Sequence, residues 1–184
     1  PAGFDDLATD VVIDGSGNVI VCGTSENVNN STYWVVRKYT AAGDLKWTFT
    51  YDGSDMHADR PAEMFVDTKD NIYVTGYSRQ VTASGLCTIK LSPTGTRLWT
   101  RKYRGPDYLG GAATAIARRP AGGVYVGGYV LTDADGYDAV LVHYTAAGDR
   151  KVYTLYTAMT VLATPQTIKD IAVEGIRKVT ARTI

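Results

Sequence analysis

The chain has no apolar run near the roughly 18 residues that a membrane-spanning helix needs, so no helical span is expected. It has no stretch where apolar residues recur every ~3.6 positions between helix caps, so no helix is predicted. It has no surplus of either charge. Nineteen Lys and Arg balance nineteen Asp and Glu, which argues against a nucleic-acid or other general polyanion partner. It lacks a basic-then-apolar leader at its start, so either export does not use a leader or the chain is a mature or internal piece. It has only two cysteines, Cys22 and Cys87, in different segments of the repeat described next. A disulfide needs Cα atoms within about 7 Å, so two buried, unpaired thiols are expected instead. It has neither a Gly-x-Ser-x-Gly elbow nor a glycine-rich phosphate loop, and nucleophilic catalysis finds no support.

What is present is a repeat. Asp14-Gly15-Ser16-Gly17-Asn18-Val19-Ile20-Val21-Cys22-Gly23 returns as Asp67-Thr68-Lys69-Asp70-Asn71-Ile72-Tyr73-Val74-Thr75-Gly76. It returns again, altered, as Arg119-Pro120-Ala121-Gly122-Gly123-Val124-Tyr125-Val126-Gly127-Gly128. A fixed period of about 50 residues marks a stacked or radial repeat architecture. Tyr39-Thr40-Ala41-Ala42-Gly43-Asp44 recurs likewise as Leu91-Ser92-Pro93-Thr94-Gly95-Thr96 and Tyr144-Thr145-Ala146-Ala147-Gly148-Asp149.

Each unit thus carries four short β-rich runs separated by turn residues. In the first they fall at about 8–13, 19–23, 33–39 and 45–51. Asp14 is suited to bond its own turn amides, and the glycines supply positive φ. Four consecutive antiparallel strands at this period are the blade of a β-propeller, so the predicted fold class is all-β. Trp47 and Trp99 occupy matching places in the fourth run, where a large ring packs between sheets. Val152 is expected to replace them in the third unit and to thin that contact.

The pattern Asp-x-x-Gly-Asn-x-Tyr-Val-x-Gly, then Lys-Tyr-x-x-x-Gly, then Trp-x-x-x-Tyr-x-Gly, resembles the SBBP-type (seven-bladed β-propeller) repeat of bacterial surface and secreted proteins. The resemblance covers residues 1 to about 156. It implies an extracellular or cell-surface setting and a scaffold or interaction role with a protein or glycan partner. It implies no shared catalytic residues. Repeats are expected at about 1–53, 54–105 and 106–158, with a partial unit at 159–184. In that last part Ile168–Gly175 matches Leu7–Gly15 loosely, and Lys178–Ile184 takes the place of the second run. Three blades and a half do not close a ring. The remaining blades are expected from another chain or from a longer parent sequence, and two copies do not complete a ring simply.

In a propeller, the loops after the second and fourth strands of each blade share one face. Here they hold Asp5, Asp6, Glu26, Asp52, Asp55, Asp59, Asp107, Asp133, Asp135 and Asp138, against Arg60, Arg79 and Arg104. Local potential steers ligands even on a neutral molecule, although Asp is also the residue that turns favour. Asp55, His57, Asp59 and Asp107 are the candidate ligand-binding residues. Asp55, His57 and Asp59 alternate along one extended face but lack the second His or Cys that zinc favours. Asp133, Asp135 and Asp138 flank Gly136 and are the candidate Ca²⁺ ligands, in a segment too short for an EF-hand. His143 stands where Lys38 and Lys90 stand in the other units and is expected to be a strand residue facing polar neighbours. The alternative to a non-catalytic module is a propeller glycoside hydrolase or polysaccharide lyase, with two loop carboxylates ~5–9 Å apart. A quinone-dependent dehydrogenase would also carry Gly and Trp repeats, but its cofactor ligands are not visible here.

Overall fold

The computed structural model describes residues 5–26, 31–53, 58–79, 84–105, 110–132 and 136–155. Among them are twelve strands and no helix. They form three four-stranded antiparallel sheets, each in simple meander order. Sheet A holds β1 (Asp6–Ile13), β2 (Val19–Glu26), β3 (Thr32–Tyr39) and β4 (Leu45–Tyr51). Sheet B holds β5 (Asp59–Val66), β6 (Ile72–Arg79), β7 (Ser84–Leu91) and β8 (Arg97–Tyr103). Sheet C holds β9 (Gly111–Arg118), β10 (Val124–Thr132), β11 (Gly136–Tyr144) and β12 (Arg150–Leu155).

The turns form for the reasons their residues dictate. Asp14 Oδ1 accepts from the backbone N–H of Ser16 and of Asn18, both at 2.9 Å, and closes the β1–β2 turn. Asp67 does the same with Lys69 and Asn71. Gly17 sits at φ 78°, and Asp70 holds the matching left-handed position at φ 58°. In the third unit the polarity inverts. Arg119 replaces the aspartate, and its guanidinium donates 3.0 Å to the Gly122 carbonyl.

A bulge interrupts each first strand, as the register shifts at Ala8/Asp10, Pro61/Glu63 and Gly127/Gly128 record. Bulges bend the strand and bring backbones close. They explain the glycine that ends each repeat of the motif. A Cβ on Gly23, Gly76 or Gly128 would lie 2.1–2.2 Å from the carbonyl oxygen of Leu7, Arg60 or Ala112 in the bulged strand.

The sheets stack face on face, B between A and C. Each strand alternates its side chains between a face toward the preceding sheet (here called leading) and one toward the following sheet (trailing). Ile20, Trp34, Val36 and Tyr51 on the trailing face of A bury themselves against Ile72, Val74, Ile89 and Leu91 on the leading face of B. Tyr73, Leu86 and Trp99 of B pack in the same way against Val124, Val126, Val140 and Val142 of C. Both cysteines are buried and unpaired, as expected from their spacing.

The fourth strand of sheet C differs from the sequence expectation. In A and B a bulge at Lys38/Tyr39 and Lys90/Leu91 sets Trp47 opposite Lys38 and Trp99 opposite Lys90. Sheet C has no such bulge, so Lys151 stands opposite His143. Lys151, not Val152, takes the tryptophan's place. Val152 turns to the leading face and packs against the B–C core.

Candidate functional site

The described parts of the β2–β3 and β4–β5 connections lie at one end of the sheets, where Asp5 donates its backbone N–H to Glu26 and Asp52 lies near Asp59. Asp5, Asp6 and Asp52 are exposed. Asp59 is not; it is fully buried. Its carboxylate accepts from the backbone N–H of Gly53, and of Arg79 at 2.9 Å. Burial raises its pKa, and the bonds from Gly53, Ser78 and Arg79 only partly offset that. Asp59 therefore anchors the β4–β5 connection onto β6. Tyr51 lies beside it and shares a 3.2 Å hydrogen bond with Ser78 Oγ. Burial first, then nearby Cys87 and Asp59, pushes the Tyr51 phenol upward.

Asp138 is buried at the start of β11 and accepts 3.4 Å from Thr132 Oγ1. Asp55, His57, Asp107, Asp133 and Asp135 lie outside the described residues. Among the described residues no group of three His, Cys, Asp or Glu is placed to hold a metal ion.

A second polar centre sits at the opposite end, where sequence reasoning looked only for turns. Lys38 Nζ lies 2.6 Å from Asp14 Oδ2, and both side chains are almost wholly out of water. Burial alone would raise the Asp14 carboxyl. The Lys38 ammonium, the Asn18 amide and the two turn N–H groups outweigh it and hold the carboxyl well below the usual carboxylate range. Lys38 Nζ also donates 3.1 Å to the Pro93 carbonyl in sheet B, and Trp47 Nε1 donates to that same oxygen at 3.1 Å. The joint recurs between B and C, where Lys90 Nζ and Trp99 Nε1 donate to the Ala146 carbonyl at 3.0 and 3.2 Å. A polar cavity of about 480 Å³ opens above the first joint, among Ser16, Lys46, Asp70 and Thr94. Its ionic groups are already engaged. Asp70 Oδ1 accepts from the N–H of Gly15 at 2.8 Å, and Lys46 Nζ donates to Asn18 at 3.3 Å.

A carboxylate staple is the third recurrent link. Asp10 Oδ2 accepts from the Met64 N–H at 2.7 Å, and Glu63 Oε2 from the Ile116 N–H at 2.7 Å. Ala115 holds that position in the third unit. One signal for the Lys–Asp joint was present in the sequence. Asp and Lys occur together in two units and change together, to Arg119 and His143, in the third.

No protein-family model matches the chain, and no curated protein matches it either.

Proposed function

We propose that this chain is a β-propeller segment acting as a non-catalytic scaffold, which meets a protein or glycan partner through the acidic loop end of its blades. One observation carries the reading. The same joint, a lysine and a tryptophan donating to one turn carbonyl of the next sheet, is built twice from equivalent residues. The first strands of successive sheets also lie side by side, as blades around an axis do. The displaced carboxyl groups Asp14, Asp59 and Asp67 are all tied to backbone N–H groups, which suits holding rather than turnover. Asp5, Asp6 and Asp52 are exposed at the loop end, beside exposed Arg60 and Arg79, and offer carboxylates to a basic or hydroxyl-rich partner. The resemblance to SBBP-type repeats supports an extracellular or bacterial cell-surface setting.

The test is retention on arrays of bacterial and host polysaccharides and surface proteins, with product release assayed in parallel. Binding weakened by Asp5→Asn/Asp52→Asn, without release of reducing or unsaturated sugar, is the expected result. Sugar release lost on changing a loop carboxylate would favour the hydrolase or lyase reading and overturn this one.

A further inference from the structure

The A–B and B–C joints are built alike, but the first is ringed by polar groups that the second lacks. The cavity of about 480 Å³ above it is lined by Ser16, Lys46 and Trp47 of sheet A and by Asp70 and Thr94 of sheet B. Their counterparts at the B–C joint are Lys69, Leu98, Trp99, Gly122 and Ala147. The tryptophan is common to both. The carboxylate and the two hydroxyls occur only at the first joint, and Leu98 stands in the place of Lys46. The second joint still makes the same lysine and tryptophan bonds to its turn carbonyl. Holding two sheets together therefore does not require Ser16, Lys46, Asp70 or Thr94. Asp70 also sits at φ 58°, a left-handed position that Gly17 and Gly122 fill in the other two units at lower cost.

The ionic groups keep capacity beyond their bonds within the protein. Asp70 accepts from the Gly15 N–H through Oδ1, and its Oδ2 has no hydrogen-bond partner among the described residues. Lys46 gives one of its three N–H donors to Asn18. The Trp47 N–H is committed to Pro93, so its half-buried ring offers apolar surface only.

We propose that this cavity binds a neutral pyranose sugar, with hydroxyl groups bonded to Asp70 and Lys46 and an apolar face against Trp47. The charges decide the class. Asp70 balances Lys46, and the buried Lys38 and Asp14 balance each other, so neither an anion nor a cation gains from the site. A sugar hydroxyl both donates and accepts, which suits a cavity lined by one acceptor and one donor with capacity to spare. A volume of about 480 Å³ falls within the range of small-molecule sites, which pair apolar surface with a few polar groups. The cavity lies at the end of the sheets opposite Asp5, Asp6 and Asp52, so it is a second site, independent of a partner at the loop end.

Saturation-transfer NMR tests this with the methyl glycosides of glucose, galactose, mannose and N-acetylglucosamine, each at about 10 mM, well above a weak Kd of about 1 mM. At least one is expected to bind and to raise the melting temperature, because the sugar meets both sheets only in the folded chain. Asp70→Asn keeps an oxygen for the Gly15 N–H and a residue that tolerates left-handed φ. Lys46→Met keeps the apolar stem. Each is expected to weaken binding about tenfold or more with an unchanged near-UV circular dichroism spectrum. Asp5→Asn/Asp52→Asn is expected to leave binding unchanged. Failure of all four glycosides to bind overturns the proposal. So does binding that survives both Asp70→Asn and Lys46→Met, or that is lost in Asp5→Asn/Asp52→Asn, which would place the sugar at the loop end. Tighter binding of glucuronate or glucosamine than of the glucoside also overturns it, since a single charge would then govern the cavity.

Discussion

Lys38 and Asp14 meet at 2.6 Å, and the same ammonium crosses 3.1 Å to Pro93 in the next sheet. One buried cation therefore closes a turn and joins two sheets. Removing one partner of a buried pair costs about 3 kcal/mol or more, because the other charge stays buried and alone. Lys38→Met is expected to lower unfolding stability by about 3 kcal/mol in urea titrations. Adding Asp14→Asn to it should cost less than the two single changes summed, since their effects are coupled.

The acid response follows from the turn carboxylates. Burial would raise Asp67, but the Asn71 side chain, the N–H groups of Lys69 and Asn71, and the charge of Lys90 outweigh it, so its carboxyl, like that of Asp14, lies below the usual range. A group depressed in the folded state contributes stability above its unfolded pKa and loses it as pH falls toward the folded value. Stability should hold from neutral pH to about 5 and fall below about pH 4. Asp14→Asn/Asp67→Asn should fall less steeply between about pH 4 and 2, measured by urea midpoint at each pH. Asp59, raised by burial, acts with the opposite sign and softens the loss.

Two glycine substitutions separate crowding from backbone strain. Gly43 holds φ +95° with nothing within 4 Å of the point a Cβ would occupy, whereas at Gly76 the Arg60 carbonyl oxygen lies 2.2 Å from that point. Gly43→Ala should cost about 1–2 kcal/mol, the penalty of a left-handed backbone. Gly76→Ala must displace a strand and should cost clearly more, read as a lower melting temperature or loss of soluble protein.

The thiols report on unfolding. Burial pushes Cys22 up to about 11 and Cys87 up to about 12. A thiol reacts as its thiolate, so both should resist a disulfide reagent at pH 8 in the native protein. Two equivalents should react rapidly once denaturant is added. Fast titration of either in the native protein would contradict the burial.

The carboxylate staple can be isolated. Glu63→Ala removes the acceptor that the Ile116 N–H meets across the B–C joint. A loss of about 1–3 kcal/mol is expected by chemical denaturation, with Glu63→Gln recovering a large part of it because its amide oxygen still accepts.

The order of strands and turns is legible in the sequence because it is local. Alternating apolar residues, an aspartate that bonds its own turn and glycines in left-handed positions act within about ten residues of one another. The repeat then makes each unit evidence for the other two. The joints are a different matter. Lys38 meets Pro93 across 55 positions and Glu63 meets Ile116 across 53, so nothing near either residue in the chain announces its partner.

The same limit governs the candidate site. The sequence placed Asp59 among ligand-facing residues because loops carry Asp; the packed sheets bury it and commit its carboxylate to backbone N–H groups. A missing bulge, invisible in composition, moves Lys151 into the tryptophan position and turns Val152 inward. By itself, then, the sequence determined the hairpins of the three described sheets and their period, since hydrogen bonding between neighbouring runs depends on residues close along the chain; the partial unit expected at 159–184 lies outside the described residues. Only the tertiary structure decided which charges are buried and which carbonyls they reach, because those depend on how sheets some fifty residues apart settle against each other.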